Sequence, residues 1–232
     1  MTYAKLDALM VKYGSDKSSQ HHNYTETYAE WFKHLRGKSP RVLLLGWGGN
    51  NGKDSGRGGS DAAAFRDYFG DGCTIVAIDL LPQELRDWHQ SIVFREMDQA
   101  DLHGLDALSR EFGPWDIVID DASHLSSLSI KSFQGLWDHV AQGGWYVYED
   151  SHGSYHSHYY RDGHANMNPH QPGTNGETGI QFFKRIADES NFREDGYLFG
   201  ERYRSINPQT GRPYNWVKRV VFEFNLVAVN KS

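Results

Sequence analysis

The stretch Trp115-Asp116-Ile117-Val118-Ile119-Asp120-Asp121-Ala122-Ser123-His124 reads in two halves. Trp115 to Asp120 is a short β-rich run, apolar through Ile117, Val118 and Ile119, and predicts a buried strand. Asp121 to His124 is short, polar and able to bind or move protons. The same layout recurs at Gly144-Trp145-Tyr146-Val147-Tyr148-Glu149, a predicted strand that leads into Asp150. A helical pattern from Ser127 to His139 separates the two. Strand, helix, strand at this spacing is a parallel crossover, which sets the two strand ends side by side.

The pattern repeats toward the N-terminus. Arg41 to Leu45, Thr74 to Asp79 and Ser91 to Arg95 read as strands, with helices at Ala62 to Tyr68 and Leu102 to Phe112. Residues 4–36 read as helix interrupted by a polar loop. Downstream, Gly179 to Glu189 is helical, and Val217 to Val229 is strand-like on either side of Asn225, an antiparallel pair closing the sheet. The fold class is therefore α/β and Rossmann-like: a mostly parallel seven-stranded sheet, an antiparallel last strand, and helices on both faces. Residues 1–232 read as one domain, with a helical cap over 1–38 and a lid over 151–177, where His, Tyr, Asn, Gly and Pro show no periodicity.

Composition narrows the function classes. The net charge is −6 with the charges interspersed, which gives no argument for nucleic acid. No apolar run approaches the roughly 20 residues of a bilayer span, and the first residues lack a secretory apolar core. A single cysteine, Cys73, forms no internal disulfide and suits the cytoplasm.

Two constellations carry chemistry. The first is a nucleotide-type loop. Gly46 and Gly48 follow the first strand, where glycine permits a sharp turn and a close ligand. Asp79 ends the second strand, where a carboxylate suits ribose hydroxyls. Asp98-Gln99-Ala100-Asp101 follows the third strand, where an adenine or a helix N-cap would sit. By itself this pattern fits a nicotinamide enzyme as well as a methyltransferase, although the loop from Gly46 to Ser60 does not lead straight into a helix as a pyrophosphate cradle does.

The second constellation is Asp121 and His124 with Glu149 and Asp150. Neighbouring strands lie about 4.8 Å apart, so these carboxylates can converge. Converging carboxylates call for a cation, and Mg²⁺ or another hard divalent ion takes oxygen ligands while leaving places for substrate oxygens. Such an ion eases ionisation of a bound hydroxyl, and His124 is placed to take the proton. Asp121, Glu149 and Asp150 are thus the candidate metal ligands, with His124 and Asp121 as the candidate catalytic pair. The partner is a small molecule bearing vicinal oxygens, a glycosylated compound or another diol such as a catechol.

These residues, with Gly14-Ser15-Asp16-Lys17, Gly58-Gly59-Ser60, Ile78-Asp79 and Gly143-Gly144, resemble the macrolide and rhamnosyl sugar O-methyltransferases. The resemblance covers most of residues 10–150 and Val220 to Lys231. It implies a class I methyltransferase fold that binds S-adenosylmethionine and Mg²⁺ and methylates a sugar hydroxyl of a glycosylated natural product. It adds Gln99 beside Asp98 at the adenine, places Gly46 and Gly48 along the methionine part, and brings Ser60 and Asp120 into the cofactor set. Cephalosporin hydroxylase-like proteins share this fold and a similar acidic group, and a homo-oligomer stays open.

Overall fold

The computed structural model describes residues 2–48, 58–82, 85, 90–155, 177–191, 206–207, 212–213 and 216–232. By their contacts, residues 1–98 and 99–232 form two units.

In the first unit, β1 (Arg41–Leu45), β2 (Thr74–Asp79) and β3 (Ile92–Glu96) are parallel, in the order β3-β2-β1. All of β1 but Arg41 is buried, as its unbroken apolar run requires. Helices α1 (Thr2–Tyr13), α2 (Thr25–Phe32) and α3 (Ser60–Phe69) supply aromatic packing: Tyr28 and Phe32 lie 5.4 Å apart, and Phe65 lies 5.9 Å from Tyr28. Trp31 and Phe32 are core residues, as their helical spacing predicts.

The second unit holds α4 (Leu102–Phe112), β4 (Trp115–Asp120), α5 (Ser126–Leu136), β5 (Val140–Tyr148), α6 (Gly179–Asn191), β8 (Val217–Glu223) and β9 (Leu226–Lys231). Two-residue strands β6 (Ile206–Asn207) and β7 (Arg212–Pro213) pair antiparallel to each other, a feature the sequence did not announce. The larger strands take the order β4-β5-β9-β8. β4 and β5 are parallel, and β9 runs antiparallel to both β5 and β8. The seven strands are those the sequence led one to expect, and β9 alone runs against its neighbours. At the centre of this unit Phe133 packs against Trp137, Tyr146, Phe182 and Phe183, with ring centroids 5.0–5.5 Å apart.

Among the boundaries that differ from the sequence reading, two have a cause the structure shows. β5 begins at Val140, because Gly143, in a left-handed conformation at φ +75°, carries the chain through a register shift opposite Trp115 and Ile117. α5 stops at Leu136 and tightens into a 3-10 turn over Trp137–His139. There the buried amine of Lys231 donates to the carbonyls of Trp137 and Val140, both at 2.8 Å. The expected lid is described only at Ser151–Tyr155, a 3-10 turn, and at residue 177. His156, His158, Tyr159, Tyr160, His164 and His170 lie outside the described residues.

The choice between Asp98 and Asp101 as helix cap resolves to Asp101, whose carboxylate accepts from Gly104 N at 3.0 Å. Replacing it removes one satisfied donor in the first turn of α4. Asp101→Ala should therefore lower stability by about 1 kcal/mol in urea unfolding, and by more than Asp98→Ala does. The reverse ranking would contradict this assignment.

Candidate metal centre and nucleotide loop

The parallel ladder of β4 and β5 runs past its last paired residues: Glu149 N donates to Asp120 O at 3.0 Å. That bond sets residues 121 and 150 one step beyond two adjoining strand ends. Asp121, His124 and Asp150 gather there, with one candidate ligand atom from each lying within 4.8 Å of the others. His124 stands between the acids. Its Nδ1 is 3.7 Å from Asp121 Oδ1, and its Nε2 is 3.7 Å from Asp150 Oδ2. These are ion-pair distances, longer than hydrogen bonds. The three side chains are 15–25% exposed, so the group is sheltered yet open to a ligand.

His124 and Asp150 both hold left-handed backbone, at φ +57° and +49°. Such angles in residues other than glycine cost about 1–3 kcal/mol and persist where the surroundings impose them. Glu149 is buried and lies outside this three-residue cluster. The sequence reading had His124 only as a proton acceptor; the geometry puts it among the ligand atoms as well.

Two carboxylates and an imidazole around one small space are a suitable donor set for a divalent cation. The group passes that test on its geometry, with Asp121 and Asp150 as the oxygen donors.

In the first unit, the glycine loop is tied to Asp79. Trp47 N donates to Asp79 Oδ2 at 2.9 Å, and Leu81 N to Oδ1 at 3.1 Å. Each oxygen keeps a further acceptor position. Gly46 and Gly48 have φ of +99° and +75°, and a side chain added at Gly48 would meet nothing within 4 Å. Gly58 is the crowded one, since a Cβ there would fall 2.8 Å from the Trp47 indole. Ser60 Oγ donates to Tyr13 O at 2.8 Å, fastening α3 to the end of α1. Asp98 is exposed.

Gln99 and Asp120, which the resemblance assigns to the cofactor, are hydrogen-bonded to each other. Asp120 is 1% exposed, and its carboxylate accepts from Gln99 Nε2 and from Tyr146 OH, each at 3.0 Å. Gln99 is buried among the same groups. The sequence offered little warning. Asp120 ends an apolar strand like any solvated terminal acid, and its partners come from distant elements.

Burial pushes the Asp120 carboxyl up to about 6, against the hydrogen bond from Tyr146. A carboxyl raised in the folded state favours folding at low pH, and that contribution is lost as pH rises from its ordinary 3.8 through about 6. In metal-free buffer, Asp120→Asn should gain about 3 kcal/mol relative to wild type between pH 4 and 7. Parallel stability curves for the two proteins would contradict the shift.

No family model matches the chain. Among curated proteins, the 8-demethyl-8-(2-methoxy-alpha-L-rhamnosyl)-tetracenomycin-C 3'-O-methyltransferase of Streptomyces olivaceus is 33% identical over 189 residues, covering 82% of this chain and 46% of that protein. Mycinamicin VI 2''-O-methyltransferase of Micromonospora griseorubida is 35% identical over 145 residues, covering 62% of this chain and 35% of that protein. The 8-demethyl-8-alpha-L-rhamnosyl tetracenomycin-C 2'-O-methyltransferase of Streptomyces olivaceus is 30% identical over 230 residues, covering 97% and 54%. Among solved structures, the MycE methyltransferase of the mycinamycin biosynthetic pathway, in complex with Mg and SAH, superimposes with TM-score 0.76 at 26% identity, over 98% of this chain and 55% of that one. Its complex with Mg, SAH and mycinamycin VI gives TM-score 0.74 at 25% identity, over 98% and 54%. The chain spans about half the length of the curated relatives it matches. It has the class I methyltransferase fold, and by sequence and structure it is a homologue of the O-methyltransferases that act on sugars of glycosylated natural products.

Proposed function

We propose that the chain is an S-adenosylmethionine-dependent, metal-assisted O-methyltransferase whose acceptor is a sugar hydroxyl on a glycosylated natural product. The observation that carries this reading is the convergence of Asp121, His124 and Asp150 beyond adjoining parallel strands. Support comes from homologues named for sugar methylation and from a similar structure that holds Mg and SAH. We assign Asp121 and Asp150 as cation ligands and Glu149, next in the chain to Asp150, as the third. When bound, the cofactor supplies an electrophilic methyl group and the cation supplies charge that eases ionisation of a hydroxyl.

The residues of the chain do the rest. Asp121 and Asp150 would hold the cation beside His124, and a fixed acceptor there would replace a chance encounter by a set approach. His124 would take the hydroxyl proton as the oxygen–carbon bond forms and the methyl–sulfur bond breaks, its electron pair staying on sulfur in the departing S-adenosylhomocysteine. Its partial exposure leaves room for the acceptor to reach the ring. Asp79 takes the ribose, and Gly46 and Gly48 admit the methionine part. Gln99, Asp120, Ser60 and Asp98 stay outside this set: the first three are engaged within the protein, and Asp98 is exposed. The reading also places the enzyme in the cytoplasm, where a lone cysteine is at home; among the described residues no helix is long and apolar enough to cross a membrane.

The test is methyl transfer from labelled S-adenosylmethionine to a panel of rhamnosides, macrolide glycosides and catechols, with and without Mg²⁺. Glycosides should be methylated and chelation should abolish the reaction. His124→Ala should lower kcat by about 100-fold or more while S-adenosylhomocysteine still binds. Methylation of catechols alone would overturn the acceptor, and calorimetry showing no cofactor binding would overturn the whole reading.

A further inference from the structure

Gln99 sits on the connection from β3 to α4, yet its side chain serves the loop after β4. The residue is 6% exposed. Its Nε2 donates to Asp120 Oδ1 at 3.0 Å and to Ser132 Oγ at 2.9 Å. Its Oε1 accepts the backbone N–H of Ser123 at 3.0 Å. Ser132 Oγ shares its one proton between the Gln99 backbone carbonyl at 3.1 Å and Leu128 O at 3.0 Å. The backbone N–H of Ser123 can only donate, so it fixes the carbonyl end of the carboxamide against it. The nitrogen end must then meet Asp120. Both N–H groups and the oxygen of this side chain are taken by protein partners, which leaves no donor to read an adenine.

We infer that Gln99 is a positioning residue for the proposed metal centre: its carboxamide holds the loop 121–124 in the shape that presents Asp121 and His124. This inference rests on the proposed function above. The physical argument is local. Asp120 precedes Asp121, and Ser123 precedes His124, so one side chain holds the loop just ahead of each member of the reactive pair. His124 keeps its left-handed backbone at φ +57° only while its surroundings impose it. The Ser123 N–H bond is one such tether, and Ser123 Oγ adds another by accepting Leu125 N at 3.2 Å. Released from Gln99, the loop can relax toward ordinary backbone angles and swing the imidazole from between its two carboxylates. Groups that orient metal ligands in this way are commonly worth about 10–100-fold in affinity.

The experiment compares wild type, Gln99→Met and Ile186→Ala. The methionine keeps the volume and removes every side-chain hydrogen bond; the alanine weakens the core of the same unit at a buried residue of α6 that bonds neither Gln99 nor Asp120. In metal-free protein at fixed pH, Gln99→Met should shift the His124 imidazole resonances and lose exchange protection at the Ser123 amide. Its Mg²⁺ affinity by calorimetry should fall about 10–100-fold. Ile186→Ala should lower Tm and leave all three readings at wild-type values. His124 resonances unmoved in a folded Gln99→Met protein would overturn the inference. Should Gln99→Met not fold, wild type decides: a protected Ser123 amide coupled through its hydrogen bond to the Gln99 side-chain carbonyl supports it, and rapid exchange there overturns it. Failure of wild type to bind Mg²⁺ would sink the proposed metal centre, while the imidazole resonances would still judge the positioning role.

Discussion

The parallel pairing of β4 with β5 is the constraint on which the site depends. In its register, Asp120 lies opposite Tyr148, and the ladder adds one more bond, from Glu149 N to Asp120 O. A slip of one residue would turn Asp120 out of its buried network and move the acids beyond it. Large aromatic side chains hold the register. Tyr146 on β5 packs edge-on to Phe133 of α5 while its hydroxyl reaches Asp120, so one residue belongs to both the core and the polar network.

Around that pairing, the structure concentrates unfavourable features in one place. Asp120 is an acid buried almost completely. His124 and Asp150 are non-glycine residues in left-handed backbone, and two carboxylates face each other across an imidazole. None of this helps folding by itself. A divalent cation would neutralise the facing carboxylates, and the buried bonds from Gln99 and Tyr146 offset part of the cost of burying Asp120. Strain and like charge gathered at one strand end are what a ligand-binding centre requires.

Much of this was legible in the sequence. β1, β2 and β4 begin and end where their apolar runs do, because strands buried on both faces leave little room for polar residues. Asp121, His124 and Asp150 were visible as polar groups at the ends of such runs. The start of β5 was hidden by Gly143 and Gly144, a pair that reads as a turn yet here carries an irregular strand. The end of α5 depends on Lys231, more than 90 residues away, and no local pattern encodes that contact. The buried network of Gln99 and Asp120 was hidden for the same reason. Their roles are set by Ser123, Ser132 and Tyr146, and become visible only when the chain has brought four segments together. A buried glutamine and a buried aspartate need partners, but sequence does not say which.

The central claim is that Asp121 and Asp150 grip one divalent cation beside His124. Electron paramagnetic resonance of Mn²⁺ titrated into the protein tests it most directly. One site per chain is expected in wild type, weakened by about tenfold or more in Asp121→Asn and in Asp150→Asn. An Asp116→Asn control should bind as wild type does. Absence of bound Mn²⁺, or a site indifferent to both of the first two substitutions, would contradict the account.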